Sequence, residues 1–157
     1  MSFRLRQSGR IWLGEFTALT DAGFTNGCSC RLHGASSIVP DGFNLALHVG
    51  DAAELVLANR RQFAAALGVD AAKFTTCAQV HGSKVAKVTA DLVGSGAAAF
   101  ADTVAGTDAL ITDLPGVPLL LFYADCVPVL LADPESGAVG LAHAGWRGSV
   151  GEIAMKT

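Results

Sequence analysis

Apolar positions in this chain come in short runs, and three of those runs set the frame. Residues 117–123 are nearly continuous in apolar side chains, the pattern of a strand buried on both faces, with Pro118 near its start. Residues 127–132 are aliphatic apart from Pro128, which has no N–H to give to a ladder and so must lie at a sheet edge or a bulge. Residues 138–142 read as the return strand. Between these two, Asp133-Pro134-Glu135-Ser136-Gly137 carries turn chemistry. With Pro134 and Glu135 at the turn centre, Cys126 falls opposite His143. Directly opposed side chains of an antiparallel pair have Cβ atoms roughly 4.5–5.5 Å apart. A thiolate and an imidazole at that spacing can share one metal ion, with bonds of about 2.3 Å to sulfur and about 2.0 Å to nitrogen. A slip of one residue would send one of the two to the opposite face.

The remaining elements are less sharply written. Residues 3–24 form poorly alternating strand material with a turn at 21–23, and 31–43 read as a loop. The clearest helix spans 51–67: Asp51 and Glu54 make a capping-box start, and Gly68 is a left-handed stop. Segments 74–80 and 84–89 look like two strands around His81-Gly82-Ser83, which puts His81 at a hairpin tip. Residues 91–106 are a Gly/Ala-rich loop, 109–112 a short strand, 113–116 a turn and 147–157 a helix. The expectation is one domain over 1–157, of α+β class. Its core is a mixed, largely antiparallel sheet with helices packed on it in a layered, sandwich-like way.

Composition narrows the function classes. Of 157 residues, 51% are hydrophobic and 16% charged, yet no run approaches the ~18 apolar residues of a membrane span. The apolar excess instead implies surface meant for a further segment. A formal net charge of −3 without a basic stripe argues against a nucleic-acid module. The first twelve residues lack an apolar signal core, so the expected location is the cytoplasm. In that compartment Cys28, Cys30, Cys77 and Cys126 are expected as thiols. Cys77 fits a core position. Cys28, Cys30 and His33 could form a small metal cluster, although a flexible loop explains their spacing as well.

Six motifs stand in a fixed order: FNLALHVGD (43–51), NRRQFAAALG (59–68), QVHG (79–82), TDALITDLPG (107–116), ADCVPVLLADP (124–134) and AHAGWRG (142–148). This series resembles the laccase-domain, or polyphenol-oxidase-named, family of zinc-dependent purine nucleoside phosphorylases with adenosine deaminase activity. The resemblance implies a layered α/β fold and purine nucleosides (adenosine, inosine, guanosine, methylthioadenosine) plus phosphate as substrates. It also implies zinc as cofactor, copper being possible in its place, with His81, Cys126 and His143 as ligands. Family members continue well beyond the last motif, so the chain is expected to lack a C-terminal part. The family's arginine before the Asn-Leu motif has no clear counterpart; Arg31 stands nearby.

Three protein ligands leave a fourth position open, the pattern of catalytic zinc rather than structural zinc. Arg147, between a strand and a helix N-terminus in Gly-Trp-Arg-Gly, suits phosphate, or is simply a surface cation. Asp125 can orient a ligand, accept a proton or cap a turn. Asn44 and His48 fall in a family motif and can line the pocket. Two other classes compete, beside a non-catalytic reading in which a truncated chain is an inactive fragment. A copper-dependent polyphenol oxidase of multicopper type needs many histidines, and the chain has four, none two residues from another. A metal-free hydrolase would use Cys126 and His143 as a nucleophilic pair.

Overall fold

The computed structural model describes residues 3–157. The chain divides into two compact units, the first ending at Ala71 and the second running from Ala72 to Thr157. Two sheets, one per unit, with a few helices make an α+β fold. Among the described residues no helix is long and apolar enough to cross a membrane.

In the first unit, β1 (Phe3–Ser8) and β2 (Ile11–Phe16) form an antiparallel hairpin, and β3 (Cys28–Ser29) pairs with β2. The hairpin turn, at Gly9-Arg10, was not evident from the sequence. A short α1 (Thr17–Asp21) follows β2. Glu15 in β2 is buried and holds Arg4 and Arg6, whose far end donates to the Ala66 carbonyl of α2 (Ala53–Leu67). Gly68 ends α2 in the left-handed conformation as expected, at φ 71°.

The start of α2 departs from expectation. Its N-cap is Ala52, and no side chain caps it. The Asp51 carboxylate instead accepts from the Ser36 hydroxyl, from the amide and hydroxyl of Ser37, from Asn44 Nδ2 and from the Ala52 amide. Donors from the neighbouring loop thus outcompete the helix amides for it. Residues 31–43 are the expected loop. Buried Asn59 ties this region to α2, accepting from the Ala35 amide and donating to the Asn44 carbonyl, while buried Arg60 donates to the Leu45 carbonyl.

The second unit is built on a four-stranded sheet in the order β4-β5-β7-β6, made of β4 (Val85–Lys87), β5 (Ala109–Thr112), β6 (Val127–Ala132) and β7 (Val139–Ala144). β4 runs parallel to β5; the other pairings are antiparallel. β6 is an edge strand, as Pro128 demanded. One face, carrying Leu110 and Leu141, packs on Cys77, Val88, Leu121 and Tyr123. The other, carrying Ala109 and Ala142, packs on Ile153. C-terminal residues form two short helices, α3 (Trp146–Val150) and α4 (Ile153–Lys156), rather than one.

Two expected strands are absent from the sheet. Residues 117–123 are extended, but only Leu119 bridges, to Thr75; Cys77 likewise bridges Val104. The apolar run is half-buried to buried because part of it packs on a face of the sheet. The 74–80 and 84–89 segments do not form a hairpin either, because β4 takes β5 as its parallel partner. Val127, Leu131, Trp146, Val150 and Met155 are exposed, matching the expectation of uncovered apolar surface on this part of the chain.

The Asp51 network carries a pH signature. Burial alone would raise its pKa, but hydrogen bonds from Ser37, Asn44 and Ser36 hold it well below the usual carboxylate range. The stabilisation is therefore present above the unfolded-chain pKa of about 3.9 and is lost as pH falls toward the depressed folded value. Asp51→Asn should lower stability at pH 7 by about 1–2 kcal/mol, the low end for bonds to a charged group still reached by water. In urea unfolding, the gap to wild type should narrow below pH 4; a gap that does not change with pH would contradict this.

Candidate metal centre

The QVHG segment is positioned by a side chain that imitates backbone. Gln79 Nε2 donates to the Phe122 carbonyl at 2.8 Å, and its Oε1 accepts from the Phe122 amide at 2.9 Å. This double bond ties the segment carrying His81 to the one leading into Cys126. Past Gln79 the chain turns sharply: His81 has φ 60°, a left-handed conformation uncommon for non-glycine residues. The holding group is Asp108. Its carboxylate accepts from the amides of Val80, His81 and Gly82 at 2.8–3.2 Å. Asp108 is fully buried, at 0% exposure. Burial opposes its charge, but the amide of Gly82, the ring of His143 and the amides of Val80 and His81 together bring its pKa below the ordinary value.

Cys126 immediately precedes β6, and His143 lies in β7. The observed register pairs Pro128 with His143, so Cys126 sits two residues from the expected position opposite the histidine. The turn is wider than Pro134-Glu135: Asp133 accepts from the Gly137 amide through its carbonyl and from the Glu135 amide through its side chain, and its own amide donates to the Ala138 carbonyl. The centre therefore moves by one residue. A pairing displaced by two keeps the side-chain faces, so Cys126 remains a diagonal neighbour of His143 on the same face.

His81, Cys126 and His143 converge, with their ligand atoms all within 4.8 Å of one another. His143 is buried, Cys126 half-buried and His81 exposed. The two rings meet edge to face at 4.8 Å between centroids. Nδ1 of His143 lies 3.1 Å from Asp108 Oδ1, which leaves Nε2 as its second ring nitrogen. Tyr123 packs by the same ring and donates to the Ala142 carbonyl. Gly145 keeps the space open: a Cβ there would lie 3.1 Å from Cys126 Sγ and 3.2 Å from His81 Cδ2. One soft thiolate and two imidazoles, around a position where a methyl group would intrude, fit a zinc or a single copper ion. Tetrahedral bonds ask for ligand atoms about 3–4 Å apart, so closure on the order of an ångström completes the triangle.

The other sequence candidates divide by unit. Asp125 is exposed beside Cys126. Arg147 is exposed in α3, its guanidinium 5.3 Å from the Trp146 ring centre. Asn44 and His48 belong to the first unit. Both ends of the Asn44 amide are occupied within its own loop, by Ala46 and Asp51. His48 titrates below its ordinary range because of desolvation and the positive charge of Arg60. Arg31 is exposed, and its carbonyl accepts from the Phe43 amide. Cys28, Cys30 and His33 do not assemble: among the described residues the sole three-donor group is the one above, and His33 turns to Asp41 at 2.9 Å. Cys77 is core as expected, its thiol pushed up to about 12 by burial and by the charge of Asp108.

Asp108, Gln79 and Gly145 were not singled out from the sequence, although each lies in or beside a quoted motif. An aspartate before a strand reads as a turn residue, and nothing local marks a glutamine as a backbone substitute.

Residues 25–157 match a family described as "Multi-copper polyphenol oxidoreductase laccase". The chain is 45% identical over 150 residues to a protein named purine nucleoside phosphorylase YlmD from Geobacillus stearothermophilus, covering 95% of this chain and 54% of that one. It is 46% identical over 102 residues to a purine nucleoside phosphorylase of Deinococcus radiodurans, covering 65% of this chain and 36% of that one. The crystal structure of YlmD from G. stearothermophilus superposes with a TM-score of 0.89 at 42% identity, over 98% of this chain and 56% of that one. A Bacillus licheniformis protein titled YfiH, described as hypothetical, gives the same TM-score at 34% identity, again over 98% and 56%. The chain spans about half the length of the curated relatives it matches.

The backbone of Gly145, at φ −72°, is open to any residue, so a substitution there tests space alone. Gly145→Val should weaken zinc binding by roughly tenfold or more, and Gly145→Ala by less, with little change in the far-UV spectrum. Competition with a chromophoric chelator reads the affinity; unchanged binding in the valine variant would show that the space is not needed.

Proposed function

The chain belongs to the laccase-type polyphenol oxidoreductase family, and we propose that it carries the metal centre of a zinc-dependent purine nucleoside phosphorylase that also deaminates adenosine. The convergence of His81, Cys126 and His143 carries this reading. The names of the similar proteins support the phosphorolytic half of it. Phosphorolysis breaks the bond between the sugar C1′ and the base nitrogen and joins C1′ to a phosphate oxygen. Deamination replaces the exocyclic amine of adenosine with oxygen from water and releases ammonia.

His81, Cys126 and His143 would hold zinc, which would supply Lewis-acid chemistry at the site. The rest is work for the chain's own residues. His143 presents Nε2 because Nδ1 is engaged by Asp108. Cys126 contributes the soft thiolate, and His81 closes the set from the solvent side. Asp125 is the nearby carboxylate able to accept or return a proton. Arg147 takes phosphate in this reading. Asn44 and His48 are assigned to the substrate by family resemblance alone.

The two-imidazole, one-thiolate set also suits a single copper ion, and the family description names copper. A multicopper cluster is not supported by four histidines, of which His33 and His48 lie in the first unit. Metal analysis of the purified protein, followed by an inosine-plus-phosphate assay, separates zinc, copper and a metal-free Cys126–His143 pair. Zinc at one equivalent with phosphate-dependent release of hypoxanthine is the expected result. Activity retained after complete metal removal would overturn it.

Cys126→Ser replaces a thiolate with a hydroxyl that stays protonated near neutral pH. Zinc content and both activities should fall together; either activity surviving without metal would contradict a shared centre.

Arg147→Ala should raise the KM for phosphate while leaving deamination nearly intact. Equal losses in both activities would assign Arg147 a structural role.

A further inference from the structure

Asp108 touches both arms of the site at once. Its Oδ1 accepts from the His81 amide at 2.8 Å and from the Val80 amide at 3.1 Å, and lies 3.1 Å from His143 Nδ1. Oδ2 accepts from the Gly82 amide at 2.8 Å and from Val80 at 3.2 Å. The backbone sets the same geometry, because the His143 amide donates to the Asp108 carbonyl at 2.8 Å. Histidine and aspartate are thus fixed side by side where β5 begins and β7 ends. No other residue bonds to both the turn that carries His81 and the ring of His143 among the described contacts.

Resting on the metal reading above, we propose that Asp108 is the positioning residue of this centre, acting through both histidines. Toward His143 it fixes the tautomer: an ionised carboxylate is acceptor-only, so Nδ1 must carry the proton and Nε2 is left with its lone pair for a ligand. Toward His81 it holds the left-handed turn that aims that ring. Metal-binding histidines generally give their other N–H to such a partner, and loss of the partner reduces affinity by roughly 10–100-fold. Here one carboxylate serves two ligands, one through its ring and the other through its backbone.

Asp108→Asn is the discriminating variant. A carboxamide has a single acceptor oxygen, and its NH2 group would face amide donors or the Nδ1–H. With its oxygen in the Oδ1 place the NH2 meets the Gly82 amide, and in the flipped orientation it meets the His81 amide and the Nδ1–H, so neither orientation keeps every bond. Asp113→Asn is the control, with the same charge change at an exposed carboxylate that pairs only with Lys87 among the described ion pairs. Three readouts apply: zinc affinity by chelator competition, the His143 tautomer by imidazole nitrogen NMR without metal, and hydrogen exchange at the Val80, His81 and Gly82 amides.

The expected result for Asp108→Asn is a 10–100-fold weaker zinc affinity, with a mixed His143 tautomer or faster exchange of the three amides, while Asp113→Asn matches wild type. If Asp108→Asn binds zinc like wild type, or binds it more weakly while tautomer and exchange stay unchanged, the positioning role is wrong. If wild type itself binds no zinc or copper, the metal reading fails, and the tautomer and exchange data still report whether Asp108 sets the geometry of the two histidines.

Discussion

A buried carboxylate surrounded by donors holds the second unit's site together. An isolated ion in the interior is prohibitively unfavourable, and Asp108 is tolerated because three successive amides and an imidazole meet its charge. The dependence runs in both directions. Without the amides the carboxylate would not stay ionised; without the carboxylate the turn at His81 would have no reason to hold a left-handed residue. The exposed end of the cluster is thus anchored to its most buried point through hydrogen bonds no longer than 3.2 Å.

Around that anchor the fold brings three donor side chains together by three different devices. His143 is the penultimate residue of β7, a central strand, and is buried there. Cys126 comes from the bend entering an edge strand. His81 comes from a turn outside the sheet, held on one side by Asp108 and on the other by the Gln79 clamp onto Phe122.

Much of this was legible in the sequence, for identifiable reasons. Val127–Ala132 and Ala109–Thr112 read at their observed bounds because a short apolar run and the flanking turn residues agree locally. Cys126 and His143 were placed on one face even though the turn centre was misjudged, since a displacement of two preserves pleat parity. The failures were tertiary. An apolar run such as 117–123 looks alike whether it pairs within a sheet or lies across its face. The partner of β4 is a strand more than twenty residues away, not the adjacent segment. Asp51 reads as a helix cap because its competitors, Ser36 and Ser37, are distant in sequence, and Asp108 carries no local mark because its partners lie on both sides of it.

The Pro128–His143 pair has a further consequence, for assembly rather than chemistry. His143 directs its amide to the Asp108 carbonyl, away from β6. Opposite residues of an antiparallel pair whose polar groups do not meet turn them outward, so the backbone of Pro128 faces the free edge of the sheet. There it offers a carbonyl but no N–H. A strand docking along β6 would meet a missing donor at the end nearest Cys126, and pairing is expected to stop short of it. The proline that reveals the edge thus guards it at the end beside Cys126.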